Sequence, residues 1–203
     1  ALMAVAPETV IASGEIIGSE KPMTWTLTQS QSNEYTLTID GEGNMPNYGL
    51  YEDTAWKDAC EGKTVNLVFG DQVTSAGSWA FASMRIKSID WGGVKTIGAR
   101  AFQTCSGLTH LSIPGTVEYI GEGAFHEFYN VRSMELGNGI KTIQGGAFRW
   151  YTDPNLPGIK VTIPASVESI GSGTFDVANE IVVDPNNPYF TSVDGILYNK
   201  DIT

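Results

Sequence analysis

The chain of 203 residues is poor in the residues that build most metal and nucleophilic sites, with only two cysteines and two histidines. Cys60 and Cys105 are too few for a disulfide framework and match no zinc-finger spacing. Basic residues are also scarce, at 12 Lys and Arg against 23 Asp and Glu, which gives a formal net charge of −11. Because this charge repels phosphate backbones and anionic lipids, we expect no nucleic-acid partner.

No apolar run approaches the roughly 18 residues of a spanning helix, so the sequence predicts no transmembrane segment. With 41% hydrophobic and 17% charged residues, the composition is that of a folded protein. The small and apolar start, Ala1 to Ala6, resembles the end of an export signal and predicts an extracellular or cell-surface protein. The chain stops directly after a predicted strand, at Thr203, so we expect a fragment of a longer protein.

A repeat organises the middle of the chain. The segment Val117-Glu-Tyr-Ile120-Gly121-Glu-Gly-Ala124-Phe125 is one of five copies, and their phenylalanines lie 21, 23, 23 and 27 residues apart. Each copy follows an alternating apolar segment such as Leu108-x-x-Leu111-x-Ile113-Pro114, which is typical of a half-buried strand. The Gly-x-x-Ala-Phe part is too short for a full helix and predicts one turn of α or 3₁₀ helix.

One coil of about 23 residues cannot bury its apolar edge alone, so neighbouring coils must stack. Stacking predicts a right-handed solenoid of the α/β class, mostly β, with short parallel strands. It also predicts a spine formed by Phe81, Phe102, Phe125, Phe148 and Phe175. A second core ladder is expected three residues after each spine phenylalanine, at Met84, Cys105, Phe128, Tyr151 and Ala178.

The pattern Leu-x-x-Leu-x-Ile-Pro-x-x-Val-x-x-Ile-Gly-x-x-Ala-Phe resembles the repeats of the BspA-like leucine-rich repeat family. The segments from Trp25 to Trp56 and from Val183 to Asp201 resemble that family's amino-terminal β module and a segment found between or after repeat blocks. The resemblance implies a leucine-rich-repeat fold and an exported or surface-displayed bacterial protein. Several family members are described as adhesins for host matrix or host cells, so it also implies adhesion.

These observations divide the chain into four parts. We expect a flexible segment over 1–15, a β-hairpin cap over 16–62, five repeats and a partial sixth over 63–184, and a truncated C-terminal hairpin over 185–203. The hairpin turns are predicted at residues 29–33 and at Asp194-Gly195.

Outward positions on stacked strands bring Asp90, His110 and Ser133 onto consecutive strands, which invites a Ser-His-Asp interpretation. An open, solvated sheet without a nucleophile elbow argues against it, so we predict no enzyme, no cofactor and no metal. Oxygen ligands between Asp184 and Asp194 could bind calcium, but turns use the same residue types.

The period is broken by an insertion after Phe148, and such insertions often form a binding surface. It supplies Arg149, Trp150 and Leu156 as candidates for contact with a protein partner, such as a host matrix or surface protein. The predicted strands add His110, Ser133 and Glu135. Two alternatives remain open: a structural spacer that displays another domain, and a carbohydrate-binding module that uses Trp25, Trp56 or Trp91.

Overall fold

The computed structural model describes residues 8–50, 52–150, 158–176 and 178–200 of the chain. Within these ranges the regular structure is almost entirely β, and the one helix has four residues, far too few to cross a membrane. In chain order the elements are β1 (Thr9–Glu15), β2 (Met23–Gln29), β3 (Tyr35–Gly41), β4 (Gly43–Asn44), α1 (Lys57–Cys60), β5 (Thr64–Phe69), β6 (Val73–Ala76), β7 (Arg85–Asp90), β8 (Thr96–Ile97), β9 (His110–Ile113), β10 (Tyr119–Ile120), β11 (Ser133–Leu136), β12 (Thr142–Ile143), β13 (Ile159–Ile163), β14 (Ser169–Ile170), β15 (Ala178–Val183), β16 (Phe190–Val193) and β17 (Ile196–Asn199).

Five successive coils form a solenoid, and each coil contributes one strand to each of two sides. On the side that we call the strand face, β5 pairs with β7, β9 with β11, and β13 with β15, all in parallel. On the second side, called the turn side, β4, β6, β8, β10, β12 and β14 lie in this order in one six-stranded sheet. The mostly β solenoid with short parallel strands that the repeat predicts is confirmed.

A stack of aromatic rings runs through the interior of the coils. The five spine phenylalanines stack nearly parallel, with neighbouring ring centroids 5.3 to 5.6 Å apart. Trp56 continues the stack beyond the first coil, with its ring centroid 5.4 Å from that of Phe81. The predicted spine is confirmed, and Trp56 shows how the N-terminal module covers the exposed end of the repeats.

The N-terminal module extends the sheet of the strand face. β2 and β3 form the predicted hairpin, and β3 pairs in parallel with β5 of the first coil. β1 pairs antiparallel with β2 at the edge of this sheet, so the prediction of a flexible segment over 1–15 is wrong for Thr9–Glu15. Most side chains of β1 are exposed. Main-chain hydrogen bonds to β2 hold this strand in place, which is why hydrophobic alternation did not reveal it.

The Gly-x-x-Ala-Phe segments form consecutive tight turns, and the prediction of one turn of α or 3₁₀ helix is wrong. The residue two positions before each spine phenylalanine has a positive φ, between 55° and 64°, which interrupts a right-handed helix. Successive N–H groups then have different partners. The Ala124 N–H bonds back to Gly121 within the turn, and the Phe125 N–H bonds to the Ala147 carbonyl of the next coil. The backbone ladder therefore continues through the turns.

The glycine that follows the repeat isoleucine in the second, third and fifth coils permits close approach between coils. A Cβ atom on Gly121 would lie 2.6 Å from the backbone nitrogen of Ala99, and one on Gly98 would lie 2.5 Å from that of Ser78. No side chain fits at these distances without moving the backbone. These glycines are therefore required by the stacking of the coils.

The C-terminal segment forms a hairpin of β16 and β17 that turns at Asp194-Gly195, as the Asp-Gly pair predicts. The hairpin contacts the last strand of the strand face through a 2.9 Å hydrogen bond from the Ile181 N–H to the Gly195 carbonyl.

A single buried amide fastens this segment to the fifth coil. Nδ2 of Asn187 donates to the carbonyl oxygens of Pro164 and Val167, at 2.8 and 2.9 Å. Its Oδ1 accepts from the N–H groups of Tyr189 and Phe190, both at 2.8 Å. The side chain is completely buried, so these four hydrogen bonds replace its contacts with water.

Candidate functional site

The outward side chains of the strand face form the rows that the repeat predicts. The pairing of β9 with β11 places His110 beside Ser133 and Ser112 beside Glu135, and all four are exposed. Four further pairs of side chains lie opposite one another: Asn66 and Ser88, Val68 and Asp90, Lys160 and Glu180, Thr162 and Val182. The candidate residues of this face are therefore accessible to a partner.

The strand face is interrupted between β7 and β9, which belong to different sheets and are linked by one isolated bridge between Arg85 and Ser106. A cleft of about 300 Å³ lies at this interruption, with Lys87 and His110 among its lining residues. The indole N–H of Trp91 donates a 2.8 Å hydrogen bond to the Ser112 carbonyl and so links the two sheets. The cleft adds a concave feature beside His110.

His110, Ser133 and Glu135 form one polar cluster. Nδ1 of His110 lies 2.6 Å from the Ser133 hydroxyl, and its Nε2 lies 3.9 Å from Oε2 of Glu135. The carboxylate within 4 Å of the His110 imidazole is thus that of Glu135. The Ser-His-Asp arrangement of Ser133, His110 and Asp90 does not form. The side chains of His110 and Glu135 are 46% and 74% exposed. Acyl transfer depends on oxyanion donors in a water-excluded site, which such exposure does not provide.

Trp150 is buried, and the prediction that it contacts a partner is wrong. Its side chain is 7% exposed and stacks on Phe128, with ring centroids 6.1 Å apart. In the first three coils, the second residue after the spine phenylalanine has a positive φ, whereas Trp150 does not. Because Trp150 is not left-handed, the backbone at this position differs from that of the earlier coils. The indole of Trp150, one position before Tyr151, packs on Phe128. Tyr151, the predicted ladder residue, lies outside the described residues.

Arg149 is the remaining candidate of the insertion that the structure describes. Its side chain is 65% exposed, and its Nε lies 3.6 Å from Oδ2 of Asp176 in the fifth coil. Leu156 lies outside the described residues. The predicted contact surface is therefore represented here by one exposed arginine on the turn side.

The three tryptophans proposed for carbohydrate binding are all in the core. Trp25, Trp56 and Trp91 are 7%, 0% and 5% exposed. A sugar-binding platform needs an accessible ring face, so these residues cannot form one. The alternative of a carbohydrate-binding module that uses them is wrong.

The predicted calcium ligands near the C-terminus make hydrogen bonds within the protein. Oδ1 of Asp184 accepts from the N–H of Asn186 at 2.8 Å and from its side chain at 3.1 Å. The side chain of Asn187 is occupied by the four hydrogen bonds described above. Within the described ranges, no group of three or more His, Cys, Asp and Glu side chains is placed to hold a metal ion.

Both cysteines are buried as free thiols, in keeping with the core position predicted for Cys105. Burial raises the pKa of Cys105 to about 12 and that of Cys60 to about 11, because the core disfavours a thiolate. Sγ of Cys105 donates to the Phe81 carbonyl at 3.0 Å. At neutral pH both thiols are protonated and contribute to packing.

A family model described as a BspA type leucine-rich repeat region matches residues 58–154 in six copies. Residues 58–154 are therefore repeats of this family. BspA-type leucine-rich repeats generally mediate protein–protein interactions, and such repeat proteins are generally scaffolds without enzymatic activity. No curated protein matches the chain in sequence.

Two solved bacterial structures are similar to this solenoid in fold. The pneumococcal vaccine antigen PcpA superposes with a TM-score of 0.62 and 19% identity over 95% of this chain. A leucine-rich repeat protein from Eubacterium ventriosum superposes with a TM-score of 0.60 and 21% identity over 94% of this chain. The chain covers 55% and 49% of these two structures, about half of their length, and the likeness concerns the fold alone.

The BspA-type repeats also carry a groove on the turn side that the sequence analysis did not identify. Arg100, His126 and Arg149, from three successive coils, line it together with glycines. A signal was present in the repeat: the position two before each spine phenylalanine holds Trp79 and Arg100 in the first two coils and glycine in the next three.

Proposed function

We propose that this protein binds a protein partner through its strand face, with His110, Ser133 and Glu135 at the centre of the contact. The observation that carries this proposal is the in-register pairing of β9 with β11, which presents these three polar side chains as one accessible cluster. Leucine-rich repeats generally bind proteins, and here the exposed residues of the strands are not used for packing within the chain.

The chemistry of the strand face indicates what kind of partner surface it would fit. Asp90 and Glu135 are exposed carboxylates in the same outward row, on either side of the cleft between β7 and β9. The whole chain is acidic as well. Because complementary charge increases association rates and selects partners, we expect a partner that presents basic and hydroxyl side chains to this row.

We further infer that the protein is exported and displayed on a bacterial surface, where it adheres to a host matrix or surface protein. The family of the repeats supports export. The similarity of fold to a pneumococcal vaccine antigen agrees with surface display.

The test is binding of the purified chain to immobilised fibronectin, laminin and fibrinogen and to host-cell surface extract. A double variant, His110→Ala with Glu135→Ala, should weaken binding to the captured partner by about tenfold or more. The matched control is Glu118→Ala with Lys141→Ala, an exposed ion pair on the turn side. It should bind like the wild type.

Equal binding by both double variants would contradict the strand-face proposal. A folded chain that binds none of these proteins would instead favour the spacer alternative, in which the stiff stack of coils displays another domain.

A further inference from the structure

A groove of about 480 Å³ runs across the coils on the turn side, away from the strand face. Its charged lining residues are Arg100, Glu122 and Arg149, and His126 lies between the two arginines along the chain. Two of these side chains are cationic and one is anionic. The groove thus brings two guanidinium groups together in a protein whose formal net charge is −11, with Glu122 and Asp176 as the carboxylates nearest to them.

The groove exists because side chains are missing from its floor. The position two before each spine phenylalanine is left-handed in all five coils, and the first two coils hold large residues there, Trp79 and Arg100. The next three coils hold Gly123, Gly146 and Gly173. A Cβ atom on Gly146 would meet no atom within 4 Å, so the packing leaves room for a side chain at this position. Large residues are accepted in this conformation, and the glycines therefore keep the groove open.

Arg100 is held in place at one end of the groove. Its guanidinium lies over the ring of Trp79, 5.5 Å from the ring centroid, and its Nη1 donates to Oε1 of Gln103 at 3.0 Å. A guanidinium fixed by stacking loses less side-chain freedom when it binds an anion. This end of the groove is therefore prepared for a ligand.

The groove arginines are paired more loosely than many of the surface lysines. Nη2 of Arg100 lies 3.9 Å from Glu122, and Nε of Arg149 lies 3.6 Å from Asp176, both beyond hydrogen-bond length. Several lysines instead hydrogen-bond directly to carboxylates: Lys21 to Glu42, Lys57 to Asp53, Lys87 to Glu34, Lys141 to Glu118 and Lys160 to Glu180. Both arginines thus keep donors for an incoming carboxylate.

We propose that this groove binds an extended acidic peptide segment, whose carboxylates pair with Arg100 and Arg149 while its backbone lies over the glycines. Arginine binds carboxylates through two parallel hydrogen bonds, which suits this ligand. Coils repeat at about 4.8 Å, so the two arginines, two coils apart, are separated by about 10 Å along the solenoid. Same-side residues of an extended chain lie about 7 Å apart at i and i+2 and about 13 Å apart at i and i+4, so glutamates at alternate positions bracket this separation.

A peptide fits the floor of the groove better than a sugar acid does. Sugar rings are commonly held on aromatic side chains, whereas the floor here is glycine backbone, on which an extended chain can lie closely. His126 lines the same stretch, and its buried Nδ1 has no hydrogen-bond partner among the described residues.

The probe is a fluorescein-labelled peptide with glutamate at every second position of a Gly-Ser background, which puts all its carboxylates on one side of the extended chain. Its binding is followed by fluorescence anisotropy at low salt. The matched probe has glutamine in place of glutamate. We expect the glutamate peptide to bind at least about tenfold more tightly, with an affinity that falls as salt is added. Arg100→Gln and Arg149→Gln should each weaken binding by about tenfold.

Two controls separate the groove from general effects. Lys160→Gln removes the same charge from the strand face and should leave peptide binding unchanged. Gly146→Gln fills the groove and should abolish binding. Gly62→Gln introduces a side chain at another open, left-handed glycine, with φ +71°, and should bind like the wild type. Circular dichroism and melting temperature show that each variant is folded.

Equal binding of the two peptides, or equal weakening by Lys160→Gln and Arg149→Gln, would overturn the proposal. So would stronger binding of sialyllactose or of inorganic phosphate than of the glutamate peptide in competition. The strand-face variant His110→Ala should leave peptide binding unchanged, so this result is independent of the proposed partner contact.

Discussion

The indole nitrogen of Trp150 donates a 2.6 Å hydrogen bond to the carbonyl oxygen of Phe125, one coil earlier. The same indole stacks on Phe128 and packs edge-on against Phe148, with ring centroids 6.0 Å apart in the second pair. Trp150 therefore joins the third coil to the fourth at the point where the insertion interrupts the repeat.

Replacing Trp150 with alanine should lower the free energy of unfolding by about 3–5 kcal/mol, because the cavity lies between two aromatic layers. Trp150→Phe keeps a ring in the stack but leaves the Phe125 carbonyl without its donor, and it should cost about 1–3 kcal/mol. Urea denaturation followed by circular dichroism measures both. An alanine variant as stable as the wild type would show that this contact contributes little.

The position of a phenylalanine in the spine should determine the cost of removing it. Phe125 stacks between Phe102 and Phe148, with centroids 5.3 and 5.4 Å away, whereas Phe175 stacks on Phe148 alone among the described rings. We expect Phe125→Ala to cost about 3–5 kcal/mol and Phe175→Ala about 2 kcal/mol. The two urea midpoints give the comparison, and the reverse order would mean that the fifth coil is essential to the stability of the whole stack.

Asn187 and its neighbour Asn186 form a matched pair for testing the attachment of the C-terminal hairpin. Asn187 makes four buried hydrogen bonds, whereas Asn186 is exposed. Asn187→Ala leaves buried backbone groups unsatisfied and should cost about 2–3 kcal/mol or more, and Asn186→Ala well under 1 kcal/mol. Limited proteolysis should release the hairpin first in Asn187→Ala. Equal protection of the two variants would argue that other contacts hold the hairpin.

The spine and the rows of the strand face were predictable because the repeat spacing alone places equivalent residues on top of one another. Phe102 and Phe125 stack, and His110 lies beside Ser133, for this reason. Where the repeat spacing is interrupted, the positions of side chains can no longer be predicted from it. Trp150 follows a turn that lacks the second left-handed residue of earlier coils, and a count of residues from Phe148 cannot show that.

Two other features could not be predicted from the sequence, for different physical reasons. Thr9–Glu15 is an edge strand held by its backbone, and its exposed side chains carry no hydrophobic period. The turn-side groove depends on side chains that are absent at Gly123, Gly146 and Gly173. Its charged residues, Arg100 and Arg149, occupy different positions of the repeat, so no single row of equivalent positions brings them together.

The buried thiol of Cys105 predicts a loss of stability in alkaline solution. Its pKa is raised to about 12 by burial, whereas the thiol of the unfolded chain ionises near its ordinary value of about 8.5. A folded-state pKa above the unfolded one contributes stability that is complete below the unfolded pKa and is lost as pH rises toward the folded value. Between about pH 7 and pH 10 the loss should be about 2 kcal/mol.

The measurement compares the chain with Cys105→Ala, both in a Cys60→Ala background, because the pKa of Cys60 is also raised. The difference in their free energies of unfolding should be constant below about pH 8 and shrink by about 1.4 kcal/mol for each pH unit well above the unfolded pKa. The alanine variant lacks the ionisable group, so only the parent loses this contribution. A difference that stays constant up to about pH 10 would mean that the Cys105 thiolate is tolerated in the core, in conflict with its burial beside the Phe81 carbonyl.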